Sequence, residues 1–385
     1  MFDYFKRVKN SFVGVIFGCL MVPGSIALHA WNEYRTVHQS RGLAEASRTV
    51  ETLPSVDEIQ PTYNEKLVHL TGKAVTEETL HDPEFSVEAN AIRLVREVEM
   101  YQWVEEKVSR DQNNSNQPPR YEYHREWSNE WLDSAKFNEP EGHHNPDMHY
   151  RESESLAELV HVGAYRLNPA LQRSMSSWED IDLNSQDPVS TIAEEQREHF
   201  QIRNNQLYWS SEVPNPEQPL VGDLRIQFRK IVPAEVSIIA QQRSDTFGEY
   251  TTSNGVKIQR LFMGTLTAQE VVERLIAENN MIAWGLRFLG LILCVIGFSL
   301  ILKPLSAIVS FLPVVGELTG ALTFFISMLL GTSLSAATIG IAWIAVRPLL
   351  GGTLLVGAGA GIYLLLRMKR KTGSPQSAAP PPLNV

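Results

Sequence analysis

The stretch "VREVEMYQWVEE", which runs from Val95 to Glu106, alternates apolar residues with acidic and aromatic ones. Alternation with a period of two is typical of a β-strand with one buried face, because successive side chains point to opposite sides of the sheet. Between residues 91 and 108 the apolar face consists of Ile92, Leu94, Val98, Met100 and Val104. The opposite face carries Glu97, Glu99, Tyr101 and Trp103. We therefore predict one long strand with an apolar face and an acidic–aromatic face.

The two carboxylates of the acidic–aromatic face allow two interpretations. Glu97 and Glu99 are two residues apart, which separates them by about 7 Å on a strand. Such a pair can supply a general acid and a general base when one pKa is raised, as in many glycoside-cleaving sites. Catalytic carboxylates should line a concave pocket, whereas structural ones should lie on an open sheet face. We favour an interaction surface, because acidic residues are common throughout this region, and keep a hydrolase as the alternative.

Further strands are predicted on both sides of this stretch. The segment "RYEYHREWSNEW" (residues 120–131) follows a turn-like run and predicts a long hairpin with the first strand. The segment "KLVHLTGKAV" (residues 66–75) predicts another strand. Residues 221–232 and 234–245 predict two strands that pair with each other around Pro233. Thr267 and Glu270 have the spacing of a capping box, which predicts that a helix begins there.

Four apolar segments organise the rest of the chain. The first includes "FVGVIFGCLMVPGSIAL" (residues 12–28) and ends near the interfacial Trp31. A cleaved signal peptide is less favoured, because Leu28 fits poorly at the third position before a cut after Ala30. Beyond Trp31 the chain either continues as a helical stalk or leads into a strand.

The apolar segments predict eight regions. These are a short cytoplasmic tail (1–11), transmembrane helix 1 (12–31), an acidic extracytoplasmic β-rich domain (32–280), transmembrane helix 2 (281–302), a cytoplasmic interfacial or re-entrant linker (303–317), transmembrane helix 3 (318–346), transmembrane helix 4 (349–366) and a basic, then disordered, cytoplasmic tail (367–385). The fold class is therefore an α+β membrane protein with four transmembrane helices and a large β-rich domain inserted between helices 1 and 2.

Basic residues beside the helix ends predict the orientation, since cytoplasmic flanks are rich in Lys and Arg. They are Lys6, Arg7 and Lys9 before the first span and Arg367, Lys369, Arg370 and Lys371 after the fourth. Four spans bring both clusters to one side, so both termini should be cytoplasmic. Residues 32–280 contain 24 Lys and Arg and 42 Asp and Glu, a net charge of −18. This acidity argues against nucleic-acid binding, which needs a basic surface.

The predicted spans carry few groups suited to transport. The third span has no ionisable residue, and ion pathways usually need one at depth. Arg287 lies a turn or two inside the second span, from which its long side chain can extend to the interface. Gly357 and Gly361 in the fourth span have a spacing that lets helices approach closely. We interpret them as packing positions within the bundle or between subunits, and a channel or conductance regulator is the third hypothesis.

A histidine-rich loop is the weak candidate for a metal site. Its potential ligands are His143, His144, Asp147 and His149. Adjacent histidines on an extended chain point in opposite directions, and the nearby prolines predict a turn, so a structural loop is favoured. Cys19 and Cys294 both lie in apolar segments, which predicts no disulfide in the acidic domain. We predict no metal and no cofactor, and no familiar catalytic motif occurs.

Several segments together resemble the LUMA family of membrane proteins. They include Val98–Glu105 ("VEMYQWVE"), Asn32-Glu33 with Arg35, "LVHLTG" (67–72), Tyr121 with Tyr123 and Trp127, Gly142-His143 with Asn145-Pro146, "VGDLR" (221–225) with Phe228, "WGLR" (284–287) and "RPL" (347–349). The resemblance implies four spans, a large domain between the first two, and no established catalytic activity. It also implies self-association and, in animals, an inner nuclear or endoplasmic reticulum membrane with links to lamins and emerin.

The sequence thus predicts a non-enzymatic membrane scaffold. Its expected partners are the lipid bilayer, further copies of the chain and unidentified proteins, without nucleic acid. A bacterial cytoplasmic membrane with a periplasmic domain is the first expectation for its location. The endoplasmic reticulum or inner nuclear membrane is the expectation if the source is eukaryotic.

Overall fold

A computed structural model describes residues 2–108, 120–309, 316–344 and 348–371 of the chain. Two compact units emerge from its internal contacts. The helical unit comprises residues 1–46, 252–256 and 272–385, and the β-rich unit comprises residues 47–251 and 257–271. The β-rich unit is inserted in the sequence between the first and second long helices.

The described residues form helices of very different length. They are α1 (Phe2–Thr49), α2 (Pro169–Arg173), α3 (Leu183–Gln186), α4 (Pro188–Thr191), α5 (Ala268–Val309), α6 (Gly316–Ile344) and α7 (Pro348–Lys371). Short 3-10 turns cover Pro61–Tyr63, Ser134–Lys136 and Glu194–His199.

The strands lie between α1 and α5. They are β1 (Glu51–Thr52), β2 (Leu67–Val75), β3 (Thr79–His81), β4 (Glu88–Asn90), β5 (Arg93–Val108), β6 (Arg120–Ser128), β7 (Ser153–Leu156), β8 (His161–Val162), β9 (Tyr165–Arg166), β10 (Trp178–Asp180), β11 (Phe200–Arg203), β12 (Gln206–Trp209), β13 (Leu224–Ile231), β14 (Ala234–Arg243), β15 (Thr246–Gly248), β16 (Tyr250–Thr251), β17 (Lys257–Ile258) and β18 (Arg260–Met263).

Three of the helices are long and apolar enough to cross a membrane. The candidate spans lie in Val13–Thr49, Ala268–Pro304 and Ala321–Ile344. The apolar part of α7, Leu349–Leu364, is shorter. A fourth span is therefore less clearly supported than the other three.

The long helices extend past the boundaries predicted from hydropathy. The helix α1 continues beyond residue 31 to Thr49. Of the two possibilities predicted for the chain after Trp31, a helical stalk or a strand, the structure therefore has the helix. The helix α5 begins at Ala268, directly after Thr267. It ends at Val309, so it includes Pro304 and the first residues of the predicted linker. Glu270 accepts hydrogen bonds from the backbone and hydroxyl of Thr267, which confirms the capping box. Residues 310–315 of that linker, the tail after residue 371 and the turn at 109–119 lie outside the described residues.

Glycines allow α1 and α5 to approach each other closely. A Cβ atom added to Gly18 would lie 2.6 Å from the carbonyl oxygen of Gly297 and 2.8 Å from Ile301 Cγ1. A Cβ atom on Gly290 would collide with the ring of His29 in the same way. Small residues at such contacts let backbones pack against each other, which is the main source of helix association in lipid.

We expect Gly18→Ala to weaken the packing of α1 against α5. The added methyl group cannot be accommodated without a backbone shift, and overpacking of this kind typically costs about 1–3 kcal/mol. Thermal unfolding of the full chain in detergent should show a lower midpoint. Gly24→Ala on the same helix is the matched control, because no described atom lies within 4 Å of its Cβ position. Equal midpoints for both variants would contradict this contact.

The β-rich unit contains two seven-stranded sheets. In the first sheet the order is β1-β2-β8-β9-β15-β14-β18, and an additional pairing joins β2 to β14. In the second sheet the order is β11-β12-β13-β5-β6, with β10 on β13 and β7 on β5. The hairpin predicted for β5 and β6 is confirmed, with Met100 opposite Ser128 and Val108 opposite Arg120.

The prediction that the strands around Pro233 pair with each other is wrong. The strand β13 pairs with β5, whereas β14 pairs with β2 in the other sheet. Only Val232 and Pro233 connect them, and a two-residue hairpin turn needs positive φ angles that a β-branched residue and a proline do not adopt. The chain therefore passes from one sheet to the other at this point.

One hydrophobic core is shared by the two sheets. Leu70 and Ile238 contribute from the first sheet, and Leu94, Val98 and Phe228 contribute from the second. The alternation predicted for β5 is confirmed, since its even-numbered residues from Leu94 to Gln102 are all buried. This arrangement directs the odd-numbered residues of β5 away from the core.

Two polar residues interrupt the apolar face of β5. Arg96 is buried and forms an ion pair with the buried Asp82 at 3.0 Å. Its Nε atom donates to the Arg151 carbonyl, and its guanidinium lies 5.2 Å from the Phe85 ring centroid. Gln102 donates to the carbonyl of Glu130 at 2.6 Å. Both side chains have hydrogen-bonding partners, and Gln102 also accepts from the Leu132 backbone, which makes their burial tolerable.

Candidate interaction surface

The face of β5 that points away from the core carries the residues singled out from the sequence. Across the sheet, Tyr101 lies opposite Trp127 and Trp103 lies opposite Arg125. On the other side of β5, Glu99 lies opposite Arg225 of β13. The pleat therefore assembles acidic, aromatic and basic side chains from three neighbouring strands on one face.

Arginine side chains cover the aromatic rings of this face. The Arg225 guanidinium lies 4.0 Å from the Trp127 ring centroid. The Arg125 guanidinium lies 5.2 Å from Trp103 and 5.9 Å from Tyr101. Cation–π contacts of this kind contribute about 0.5–1 kcal/mol each at exposed sites. Tyr101, Trp103, Arg125, Trp127 and Arg225 together form what we call the aromatic–arginine surface.

Each of the two carboxylates has its own arginine partner. Glu99 Oε2 lies 2.9 Å from Arg225 Nη2, and Glu97 Oε1 lies 3.3 Å from Arg229 Nη1. The side chain of Glu97 is 44% exposed and that of Glu99 is 42% exposed. They therefore lie on an open face, each paired with an arginine, although Glu97 shares Arg229 with Asp180. This is the arrangement expected for structural carboxylates.

The histidine-rich loop completes the sheet beside Trp103. The side chain of Asn145 accepts a hydrogen bond from the Trp103 backbone N–H at 2.7 Å and donates to the Trp103 carbonyl at 2.9 Å. The strand β13 begins at Leu224, which lies opposite Met100, so it does not extend along β5 as far as Trp103. Asn145 thus replaces the neighbouring strand where β13 no longer reaches.

The structure does not bring the four candidate metal ligands together. His143 stacks on Tyr123 with ring centroids 3.9 Å apart, and His149 stacks on Trp209 at 4.9 Å. His144 and Asp147 line a separate cavity of about 420 Å³. Within the described ranges, no group of three or more His, Cys, Asp or Glu side chains is arranged to hold a metal ion.

Three hydrogen bonds to the Glu105 carboxylate, which we call the Glu105 clip, connect the same loop to the hairpin. Glu105 accepts bonds from the Tyr123 hydroxyl at 2.6 Å and from the backbone and side-chain nitrogens of Asn138 at 2.5 and 2.9 Å. Partial burial by itself would raise the pKa of Glu105, but these three hydrogen bonds outweigh it and lower the pKa. The ionised carboxylate is thus the form that holds the loop.

We expect Glu105→Gln to loosen the loop without unfolding the sheet. The amide keeps the shape of the carboxylate but loses the charge-assisted bonds, so residues 137–143 should exchange backbone hydrogens faster at neutral pH. Because the folded pKa is lowered, the stabilisation is present above the ordinary value of about 4.3 and is lost as the pH falls through the folded pKa.

Hydrogen-exchange mass spectrometry of the full chain, corrected for intrinsic rates, measures both effects. The His124→Ala variant is the control, since its side chain is exposed on the same hairpin and not part of the clip. Unchanged protection in Glu105→Gln would show that the clip does not hold the loop.

A second cluster, which the sequence analysis missed, lies in the helical unit. Glu33 of α1 accepts two hydrogen bonds from Arg287 of α5, at 2.6 and 2.9 Å. Trp343 of α6 donates its indole N–H to the same carboxylate at 2.6 Å. The side chains of Glu33 and Arg287 are only 2% and 11% exposed. Arg287 is therefore held by an ion pair and does not extend freely to the interface.

A signal for this pair was present in the sequence. Glu33 is the first acidic residue after the first span, and Arg287 is the one basic residue near the start of the second. Opposite charges at equivalent depths in consecutive antiparallel spans indicate a contact. The hydropathy pattern ends the first span at residue 31 and so places Glu33 in the acidic domain.

The glycines predicted to pack in the fourth apolar segment have different surroundings. A side chain on Gly361 would collide with Ser333 Oγ of α6, so this residue lies at the contact between α6 and α7. No described atom lies within 4 Å of the Cβ position of Gly357. Among the orientation residues, Arg367 is exposed near the end of α7, whereas the side chains of Lys6, Arg7, Lys9, Lys369, Arg370 and Lys371 lie outside the described part of the structure.

Comparison with known proteins identifies the family. The model of the family described as Transmembrane protein 43 matches residues 100–348. The chain belongs to the transmembrane protein 43 family. It is 30% identical to the human protein over 382 residues, which cover 95% of this chain and 92% of that one. It is likewise 30% identical to the Drosophila melanogaster homolog, over 93% of this chain and 95% of the relative. No solved structure matches.

The family assignment confirms the resemblance noted from the sequence motifs. Together with the apolar helices, it makes the chain an integral membrane protein that crosses the bilayer more than once. A further relative, from Pongo abelii, is 31% identical over 90% of this chain. These relatives are animal proteins, and they give the bacterial cytoplasmic membrane expected first from the sequence no support.

Proposed function

We propose that this transmembrane protein 43 family member is a non-enzymatic membrane scaffold that contacts protein partners through its β-rich unit. The aromatic–arginine surface is the observation that carries the proposal. Tryptophan, tyrosine and arginine are the residue types that dominate the binding energy of protein interfaces. Here they stand on neighbouring strands of one sheet, where cross-strand contacts hold them before a partner arrives.

Preorganisation of this surface supports a role in recognition. Arg225 is fixed between the Glu99 carboxylate and the Trp127 ring, so little side-chain entropy remains to be lost on binding. Asn145 and the Glu105 clip fix the loop that borders Trp103. The same ion pairs support a non-catalytic interpretation, because each carboxylate is engaged by its own arginine on an open face.

A photo-crosslinking amino acid at position 125 tests the surface in the full chain in its native membrane. We expect defined protein adducts by mass spectrometry. Adding Trp127→Ala should weaken partner binding about thirtyfold and reduce the adducts accordingly, since interface hot spots contribute about 2 kcal/mol or more. The same probe at position 124, on the opposite face of β6, is the control. Equal adduct patterns from both positions would overturn the proposal, whereas a dimer of the chain itself would identify a second copy as the partner.

We further propose that α7 forms a fourth span, which places both termini on the cytoplasmic side and the β-rich unit on the other side. The helix has 24 residues, about 36 Å at 1.5 Å per residue, and Arg367 follows its apolar part. With three spans the chain end and the β-rich unit would share one side, and with four they would not.

Cysteine labelling separates these two topologies. In intact membrane vesicles, a membrane-impermeant maleimide should label only one of Ser377→Cys and Ser211→Cys, and should label both after permeabilisation. Residue 211 is an exposed position of the β-rich unit. The native Cys19 and Cys294 lie in candidate spans, so the parent chain provides the background. Labelling of both positions in sealed vesicles of one orientation would exclude the fourth span.

A further inference from the structure

A cavity of about 230 Å³ opens beside the Glu33–Arg287 ion pair in the helical unit. Its lining includes Thr36, Ser40 and Arg41 of α1 and Asn280, Trp284 and Arg287 of α5. Trp284 is largely exposed on the helix surface. Exposed tryptophans at the end of an apolar helix mark the level of the lipid head groups. The cavity therefore lies where the bilayer changes from hydrocarbon to polar surface.

The charges lining the cavity leave one cation without a partner. Glu33 is saturated by the two bonds from Arg287 and the indole N–H of Trp343. Arg41 is exposed and has no ion pair or hydrogen bond among the described residues. The cavity thus carries a net positive charge, and a guanidinium is well suited to bind an anionic phosphate with two hydrogen bonds.

A hydroxyl group in the lining of the same cavity also lacks a partner. The Oγ1 atom of Thr36 is inaccessible to solvent and forms no hydrogen bond within the described structure. Thr36 and Arg41 both line this cavity, about 7.5 Å apart along the axis of α1. Rotation of the Thr36 side chain about χ1 would turn this hydroxyl towards the cavity, where a phosphate oxygen would supply the acceptor that it needs.

A second, more apolar cavity of about 350 Å³ shares Glu33, Val37 and Arg41 with the first. It extends along α1 to Ala30 and is bordered by Tyr34 and by Ala342 of α6. From Arg41 to Ala30 the helix rises by about 16 Å. A polar cavity and an apolar one that meet at Arg41 match the two parts of an amphipathic lipid.

We propose that this pair of cavities binds a glycerophospholipid, with its phosphate on Arg41 and Thr36 and an acyl chain beside Ala30, Tyr34 and Ala342. A lipid with a net negative charge fits better than a zwitterionic one, because the carboxylate of Glu33 is already engaged and cannot pair with a choline ammonium. This site goes beyond the scaffold role and does not depend on the aromatic–arginine surface.

Native mass spectrometry of the detergent-solubilised full chain, titrated with dioleoylphosphatidylglycerol, tests the site. We expect one tightly bound lipid, and about tenfold weaker binding in Arg41→Gln, the usual effect of losing a charge-assisted hydrogen bond. Arg41→Lys should retain part of the affinity, and Thr36→Val should also weaken binding. Arg274→Gln is the matched control, since it removes an exposed cation of α5 that does not line either cavity.

Two further ligands distinguish the source of the phosphate. Dioleoylglycerol, which lacks the phosphate, should bind at least tenfold more weakly than the phospholipid. Inorganic phosphate alone should not displace the lipid at millimolar concentration, because it has no acyl chain for the apolar cavity. Equal binding of dioleoylglycerol, displacement by inorganic phosphate, or unchanged affinity in Arg41→Gln would each overturn the proposal. Loss of the aromatic–arginine contacts leaves this binding unchanged, so the two proposals fail separately.

Discussion

The ion pair between Glu33 and Arg287 is the constraint on which the helical unit depends. Two nearly buried charges at the end of a membrane bundle are costly, and either one alone would cost several kcal/mol. They are tolerated because the carboxylate receives three hydrogen bonds and the guanidinium lies between the rings of Trp284 and Trp343, at 4.9 and 5.2 Å. The pair therefore specifies which faces of α1, α5 and α6 meet.

Other polar contacts between the same helices also determine which of their faces meet. Asn32 donates to the carbonyl of Ala283 at 3.0 Å, and Arg35 donates to Asn279 at 3.1 Å. Further into the span, His29 and Ser335 lie within hydrogen-bonding distance at 3.1 Å. Below them, the contact of Gly18 with Gly297 relies on shape alone. Polar bonds set the register at one end, and close packing of small residues continues it through the apolar part.

The sequence predicts the parts of the fold that have a local period and misses those that depend on distant partners. The alternation in residues 91–108 was sufficient to predict β5 and both of its faces. Arg96 did not fit that alternation, and its partner Asp82 lies on a separate turn that no periodicity connects to it. The assumption that strands adjacent in the sequence also pair failed at Pro233, where the two-residue link cannot turn back on itself.

The candidate surface was predictable for the same reason as the strand. A period of two fixed Glu97, Glu99, Tyr101 and Trp103 on one face, but not the arginines that reach them from β6 and β13. Those partners depend on register, which is set by the whole sheet. The histidine-rich loop was noted for its histidines, yet its structural contribution comes from Asn145, which completes the hydrogen bonds of the Trp103 backbone.

Most of the described segments that carry the family resemblance lie in two places in the structure. Asn32-Glu33 and the "WGLR" segment meet in the ion pair of the helical unit. Several of the β segments meet around β5, whereas "LVHLTG" lies on β2 in the other sheet. The segment "VGDLR" supplies Arg225, which pairs with Glu99, and Asp223, which accepts the Tyr208 hydroxyl bond. Burial and the Asp223 carboxylate together raise the pKa of Tyr208, so this hydroxyl stays protonated and the bond persists over the physiological range.

The cluster in the helical unit and the cluster on the sheet differ in how deeply their charges are buried. The helical cluster uses buried charge, so it fixes helix contacts at the cost of desolvation, and it leaves the neighbouring Arg41 as a cation available to the head-group region. The sheet cluster uses half-exposed charge stacked on aromatic rings, which costs little desolvation to form and holds these side chains in a fixed arrangement on the face of the sheet. Several of the segments that resemble the family contribute to these clusters: Glu33 and Arg287 to the helical one, and Glu99, Tyr101, Trp103 and Arg225 to the one on the sheet.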